Sequence, residues 1–274
     1  MLSRRQLVLL FAAGCTCSVA PLRAQSAFDH THAAWDGLLR KHVRLTTEGG
    51  ASQVNYKALA EERAALRSYL QSLSAVPAAQ FASWSKTQQY AFLANAYNAF
   101  TVEKILTRYP NLKSIRDFGS IIGNPWKDRF FTLLGKPQHL DGVEHETMRA
   151  PGAFDDPRVH VAVNCASVGC PMLNNRAFTP ERLDAQLDDL FTRFMSDRSR
   201  NRYGLQTKTV ELSRIFDWYG NDFAKGHRGF SSVNDVVSKY ADKLADSPAD
   251  RALLRAGQTP ITFLDYDWSL NDVR

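Results

Sequence analysis

The chain has 274 residues, 44% of them hydrophobic, and a formal net charge of +6. That is ample material for a packed core in one large domain or two small ones. Three arginines of the excess (Arg4, Arg5 and Arg23) lie in the first 25 residues, and the +3 left without them is too mild to argue for nucleic-acid binding.

The chain opens on a targeting pattern. Arg4 and Arg5 precede an apolar run from Leu7 to Ala13, and Ala24 offers a small residue for cleavage before Gln25. The run is too short to span a membrane. Residues 1–25 therefore read as an export signal. Ser3-Arg4-Arg5-Gln6-Leu7 resembles a twin-arginine signal, and an ordinary secretory signal fits as well. Ala12-Ala13-Gly14-Cys15 is a loose lipid-attachment pattern, weaker than either. The expected location is periplasmic or secreted, with no membrane span in the mature chain, residues 26–274. Cleavage removes Cys15 and Cys17 and leaves Cys165 and Cys170, which an oxidising compartment permits to pair.

Residues 26–48 hold Phe28, Trp35, Leu38, Leu39 and Val43 at helical spacing. A new element begins at residue 55. Residues 60–74 predict an amphipathic helix with Leu66, Tyr69, Leu70 and Leu73 inward. The strongest helix is 85–109, opened by the capping box Ser85-Lys86-Thr87-Gln88 and closed before Pro110. Asn95 and Asn98 lie within it, three apart on one surface. If buried they need partners, either by bracing a loop or by lining a binding site. Residues 129–140 predict a hairpin turning at Gly135-Lys136, and Asp141 is placed to cap a helix containing Val143, Glu144, His145 and Met148.

Val159, Val161 and Val163 alternate with His160, Ala162 and Asn164, which predicts a buried strand. It runs into the loop Cys165-Ala166-Ser167-Val168-Gly169-Cys170-Pro171. A helix follows over 179–194, a strand over 207–212, a helix capped by Ser213, a helix over 233–244 and a closing strand over 261–266. No repeat or composition break interrupts residues 26–274, so one domain is the economical expectation. The fold class expected is α+β, a helix-rich domain packed on a small, mostly antiparallel sheet.

Several stretches together resemble the DUF547 family, whose name records an unknown function. They are Phe92-Leu93-Ala94-Asn95-Ala96-Tyr97-Asn98-Ala99, Tyr109-Pro110 with Ser114-Ile115-Arg116-Asp117, Val143-Glu144-His145 with Arg149, and Asp156-Pro157-Arg158-Val159-His160 leading into Asn164-Cys165-Ala166-Ser167 and Gly169-Cys170-Pro171. Leu212-Ser213, Ile215-Phe216, Trp218-Tyr219 and the terminal Tyr266-Asp267-Trp268-Ser269-Leu270-Asn271 extend the resemblance over nearly all of the mature chain. Val143 stands where the family commonly shows Ile, and Val161-Ala162-Val163 where it often shows Phe-Ala-Leu. Both are volume-tolerant core changes. The resemblance implies an architecture and no activity.

Two chemistries compete at Cys165. The first is a thiol nucleophile for acyl transfer, a hydrolase or acyltransferase acting on amide or peptide-like bonds in the cell envelope. It needs a base or a positive field nearby. His160 lies five residues from Cys165, roughly 16 Å along a straight strand, and is read as a scaffold residue. His145, on a separate helix, is the better base. Arg149 shares its face and could bind a substrate carboxylate. Glu144, about 100° around a helix from His145, is a substrate-binding candidate with Asn95, Asn98 and Arg149. Asn164 is a candidate orienting or oxyanion donor, which makes the catalytic set Cys165, His145 and Asn164. The order His then Cys would suit a permuted papain-like or transglutaminase-like arrangement, an analogy at the level of fold alone. The second chemistry is a Cys165–Cys170 disulfide in a non-catalytic envelope binding or structural module. No cofactor or metal site is expected, and the partner is an unknown small-molecule or peptide-like substrate.

Overall fold

The computed structural model describes residues 27–46, 48–119 and 124–273. The expected export signal and Cys15 lie outside these residues. The fold is a helix-rich α+β arrangement built round one buried helix, and one hydrophobic cluster runs from Trp35 to Leu254.

The early elements are α1 (Ala33–His42), the antiparallel pair β1 (Val43–Leu45) and β2 (Ser52–Val54), α2 (Tyr56–Glu61), α3 (Arg63–Ser74) and α4 (Ala78–Ala82). The inward face expected for α3 is buried at all four positions, Leu66, Tyr69, Leu70 and Leu73. The central helix α5 (Lys86–Leu106) starts where the capping box predicts. The Gln88 amide donates to Ser85 Oγ at 3.2 Å and the Ser85 amide to Gln88 Oε1 at 2.9 Å. From Tyr90 to Leu106 every residue but Glu103 is buried, so α5 is covered nearly all round, as an interior helix must be.

The hairpin is present, with β3 (Phe131–Leu133) antiparallel to β4 (Lys136–Gln138). Its turn is Leu134-Gly135, one residue earlier than expected, with φ of 54° and 76° at the two positions. Paired positive φ matches the twist of the flanking strands. Residues Gly142–Met148 then form a π-helical turn. Asp141 does not cap it by side chain; the Gly142 amide donates to His139 Nδ1 at 2.8 Å instead.

The expected strand at 159–163 is a correction: Val159–Ala162 is a short helix, α6, and only Val163 is extended. All four side chains are buried, so the alternation of valine with smaller or polar residues does not mark an inner and an outer face. The start signal sits just upstream. Asp156 Oδ1 accepts from the Arg158 amide at 2.9 Å, Asp156 O accepts from Val159, and Pro157 pre-sets a helical φ. Arg158 then anchors the turn on Asp156, Asp184 and Asp188.

Helix α7 (Leu183–Ser196) follows, then β5 (Arg202–Gly204), β6 (Thr209–Leu212) and α8 (Arg214–Trp218), whose cap is Ser213 as expected. The helix expected over 233–244 is broken at Tyr240 into α9 (Val233–Lys239) and α10 (Ala241–Leu244). α11 (Pro248–Arg255) precedes β7 (Ile261–Phe263), which pairs parallel with β6 while β5 pairs antiparallel. Among the described residues the strands thus form three small sheets, not one.

The last ten described residues act as a strap. Backbone bonds join Val54 to Asn271, Leu270 to Lys113, Asn271 to Ala166, Val168 to Ser269 and Gly169 to Asp267, all at 2.7–3.0 Å. A Cβ at Gly169 would stand 2.9 Å from the Asp267 amide nitrogen, so glycine is what lets the strap lie against the cysteine loop.

Candidate functional site

Five segments and the strap meet round a cavity of about 290 Å³. Helix α5 contributes Tyr97, the π-helical turn Glu144 and His145, α6 His160, the cysteine loop Cys165 and Cys170, and α8 with the strap Trp218, Tyr266 and Trp268.

The loop is held by buried amides. Asn98 accepts from the Asn164 amide and donates to Ala162 O, both at 2.8 Å. Asn164 donates to Pro171 O at 2.8 Å and accepts from the Ala166 amide at 2.9 Å and from Asn271 at 3.4 Å. Asn95 does the same work elsewhere, donating to Phe178 O at 2.8 Å and accepting from the Phe178 amide at 3.0 Å. All three side chains are spent on the frame. The loop-bracing alternative for Asn95 and Asn98 is thus the arrangement found, and Asn164 braces the turn that carries Cys165. Ala166 sits at φ 63°, in the left-handed region an alanine rarely adopts, and its amide and carbonyl are both engaged. This sharp turn presents Cys165 at its apex.

Cys165 Sγ lies 2.9 Å from Ser167 Oγ and 3.3 Å from Tyr266 Oη, and those hydroxyls are 3.0 Å apart. The Cys165 amide donates to Cys170 Sγ at 3.2 Å. Both cysteines are free thiols, which corrects the disulfide alternative: Cys170 serves as hydrogen-bond partner to Cys165, not as its covalent mate. Hydrogen bonds from Cys170, then Ser167 and Tyr266, pull the Cys165 thiol below its ordinary range against the opposing effect of burial. Burial and the neighbouring Cys165 push Cys170 well above it. Tyr266 is likewise pushed up by burial and by Cys165, so its hydroxyl keeps a proton with which to bond the sulfur.

Across the cavity, burial raises the Glu144 carboxyl to about 7; the charge of Cys165 adds to this, while Arg149 and a bond from Tyr97 oppose it. His145 faces Asp141 at 3.6 Å and Glu144 at 3.8 Å, and bonds Arg149 through Nδ1. Burial and Arg149 lower its basicity. The π-helical turn explains why adjacent residues share the cavity. Its bond from the Arg149 amide to Glu144 O spans five residues, a wider coil than the 100° steps of an α-helix.

His160 is also at the cavity. One helical turn replaces the expected strand, so the 16 Å separation does not apply. Its Nε2 bonds Asp222 at 2.9 Å and its ring stacks on Tyr219 at 4.2 Å. Burial holds it at about 4, neutral at pH 7. Its scaffold reading fits these contacts, although no sheet is involved. Arg149 is committed to Asp222 at 2.7 Å and to His145, with its guanidinium 4.7 Å from the Tyr219 ring centre, and it does not line the cavity. Among the described residues no histidine nitrogen bonds Cys165 Sγ, and no group of three or more His, Cys, Asp or Glu is placed to hold a metal.

The family model described as "Protein of unknown function, DUF547" matches residues 81–195. These residues are a DUF547 domain. No curated protein and no solved structure matches the chain. The DUF547 segment carries Glu144, His145, His160, Cys165, Ser167 and Cys170. Tyr266, Asp222 and the aromatic wall come from beyond residue 195. Sequence reading passed over Ser167, Tyr266, Tyr97 and Asp222 as site residues. Ser167 and Tyr266 lay inside the motifs already noted, but 99 positions separate them, and chain order carries no sign that they meet. Among the described residues no helix is long and apolar enough to cross a membrane.

Proposed function

We propose that this protein is a thiol-dependent hydrolase or acyltransferase acting on amide or peptide-like bonds. The observation that carries the reading is a half-buried thiol of lowered pKa, held by two hydroxyls on the wall of a cavity and facing a carboxyl that titrates near neutrality. Perturbed pairs of this kind concentrate where proton transfer is needed.

In this reading the Cys165 thiolate attacks the acyl carbon, forming a C–S bond. Glu144, about half protonated at pH 7 and more so below it, gives its proton to the departing amine as the C–N bond breaks. Water or an acceptor amine then attacks the thioester, and the Glu144 carboxylate takes its proton while the C–S bond breaks. Ser167 and Tyr266 stabilise the thiolate before attack and after release. His145 sits 3.8 Å from Glu144 and supports it as the second proton-carrying group. The reading does not rest on the papain or transglutaminase analogy. It extends to location: Arg4-Arg5 and the apolar run to Ala13 support export to the periplasm or beyond, where envelope amides would be the substrate.

The test is alkylation of the native protein with iodoacetamide across pH, read by peptide mass. Cys165 is expected to react at neutral pH with an apparent pKa below that of a free thiol, and Cys165→Ala to lose hydrolysis of a chromogenic amide panel. No reaction at Cys165 at neutral pH would overturn the proposal. The mature amino terminus of the natively expressed protein is expected after Ala24; an intact Met1 would remove the export part.

A further inference from the structure

The cavity has a charge character that the thiol chemistry does not require. Apart from the tyrosines Tyr97, Tyr219 and Tyr266, its titratable lining consists of acids, neutral histidines and the two thiols: Asp141, Glu144, His145, His160, Cys165 and Cys170. Among the described residues no lysine or arginine lines it. Both histidines are shifted toward the neutral form, so neither offsets a carboxylate at pH 7. Arg149, behind the wall, is already paired with Asp222, and Arg116 is stacked on the Trp268 ring. A substrate carboxylate or phosphate would therefore enter a pocket lined by Asp141, the partly ionised Glu144 and the lowered Cys165 thiol, with no lysine or arginine among its lining residues.

Much of the remaining lining is aromatic. Trp218, Tyr266 and Trp268 pack on one another with ring centres 4.5–5.7 Å apart, and Trp126 adds to Trp268 at 5.8 Å. Trp218 is 44% exposed, unusual for so large an apolar ring. Aromatic faces are electron-rich, and this wall already takes cations within the fold. The Arg116 guanidinium lies 5.2 Å from the Trp268 ring centre, and that of Arg149 lies 4.7 Å from Tyr219.

Resting on the thiol reading above, we propose that the acyl substrate carries a protonated amine or quaternary ammonium group, seated against Trp218 and balanced by Asp141. Ring face and carboxylate act together: the first supplies desolvated contact and the second the long-range field, so neutral substrates bind less tightly and anionic ones are repelled.

Reagents that differ in charge while attacking the same sulfur provide the test. Cys165 in the full chain is alkylated with 2-bromoethylamine (cationic), iodoacetamide (neutral) and iodoacetate (anionic), and each rate is divided by the rate of the same reagent on free N-acetylcysteine thiolate. The normalised cationic rate is expected to exceed the anionic one by about tenfold or more, the low end of what a charged cleft does to local concentration. Asp141→Asn and Trp218→Ala should each shrink that ratio at least about threefold. Equal normalised rates for the three reagents would overturn the cation site while leaving the thiol reading standing. If no reagent labels Cys165, the thiol reading fails. Tetramethylammonium chloride then decides the cation site: a saturable change in tryptophan fluorescence, absent with sodium chloride and lost in Trp218→Ala, supports it, and no change removes it.

Discussion

Two sets of polar side chains lie within one loop's reach in this protein, and they are built to opposite rules. Asn95, Asn98, Asn164 and Asn271 are buried at 4% exposure or less, and each bonds named groups of the frame. Cys165, Glu144 and His145 stand on a cavity wall with bonds on one side and open space on the other. The first set removes the cost of burying backbone groups where the chain turns sharply. The second set faces the cavity, and its proton affinities are shifted by burial at Glu144 and His145 and by hydrogen bonds at Cys165. Polarity inside a fold is therefore not by itself a marker of a site; polar groups with shifted proton affinity on a cavity wall are.

The comparison breaks or holds on separable measurements. The largest effect is expected for Cys165→Ala, which should lower amide hydrolysis by roughly 10³-fold or more while leaving the thermal midpoint within a few degrees. A comparable loss of stability would place Cys165 with the frame. Asn98→Ala should do the reverse. It strips partners from Ala162 O and the Asn164 amide together, and unfolding by urea should show a loss of about 2–4 kcal/mol. A stable, inactive Asn98→Ala protein would move Asn98 into the site.

Glu144→Gln tests both properties at once. A carboxyl raised from 4.5 to about 7 binds its proton more tightly folded than unfolded. Its neutral form favours the fold, and that advantage is lost as pH climbs from the ordinary carboxylate range through about 7. The amide variant should therefore be more stable than the parent at pH 8, by roughly 3 kcal/mol at most, and about 10²-fold slower. His32 and His160 run the other way. Each is lowered to about 4, so the unfolded chain takes up protons first, and stability falls as pH drops from 6.5 toward 4. With two such histidines against one Glu144, net destabilisation on acidification is expected, and His160→Gln should flatten the lower part of that profile. The smallest effect belongs to Tyr266→Phe. It removes one of two hydroxyls from the thiol, and the pH midpoint of iodoacetamide labelling should rise by about one unit or less, with stability little changed. An unchanged midpoint would leave the lowering to Ser167 and Cys170.

Much of this molecule was legible in its residues alone. Periodicity and capping chemistry are local, so α3, α5, the 131–138 hairpin and the Ser213 cap follow from side chains a few positions apart. The motif run round Asn164-Cys165 and Gly169-Cys170 located the loop at the centre of the cavity by its own composition. Local pattern misled at residues 159–163, where burial on all sides erased the meaning of alternation and Asp156-Pro157 set a helical turn. Roles within the site were decided by tertiary structure, because they depend on partners distant in the chain. Asn98 is spent on groups 64 and 66 residues away, Arg149 on one 73 away, and Cys165 is tuned by a tyrosine 101 residues on. A residue type states what a side chain is able to bond. Only the folded chain determines which of those bonds are already made, and so which group is left with chemistry to do.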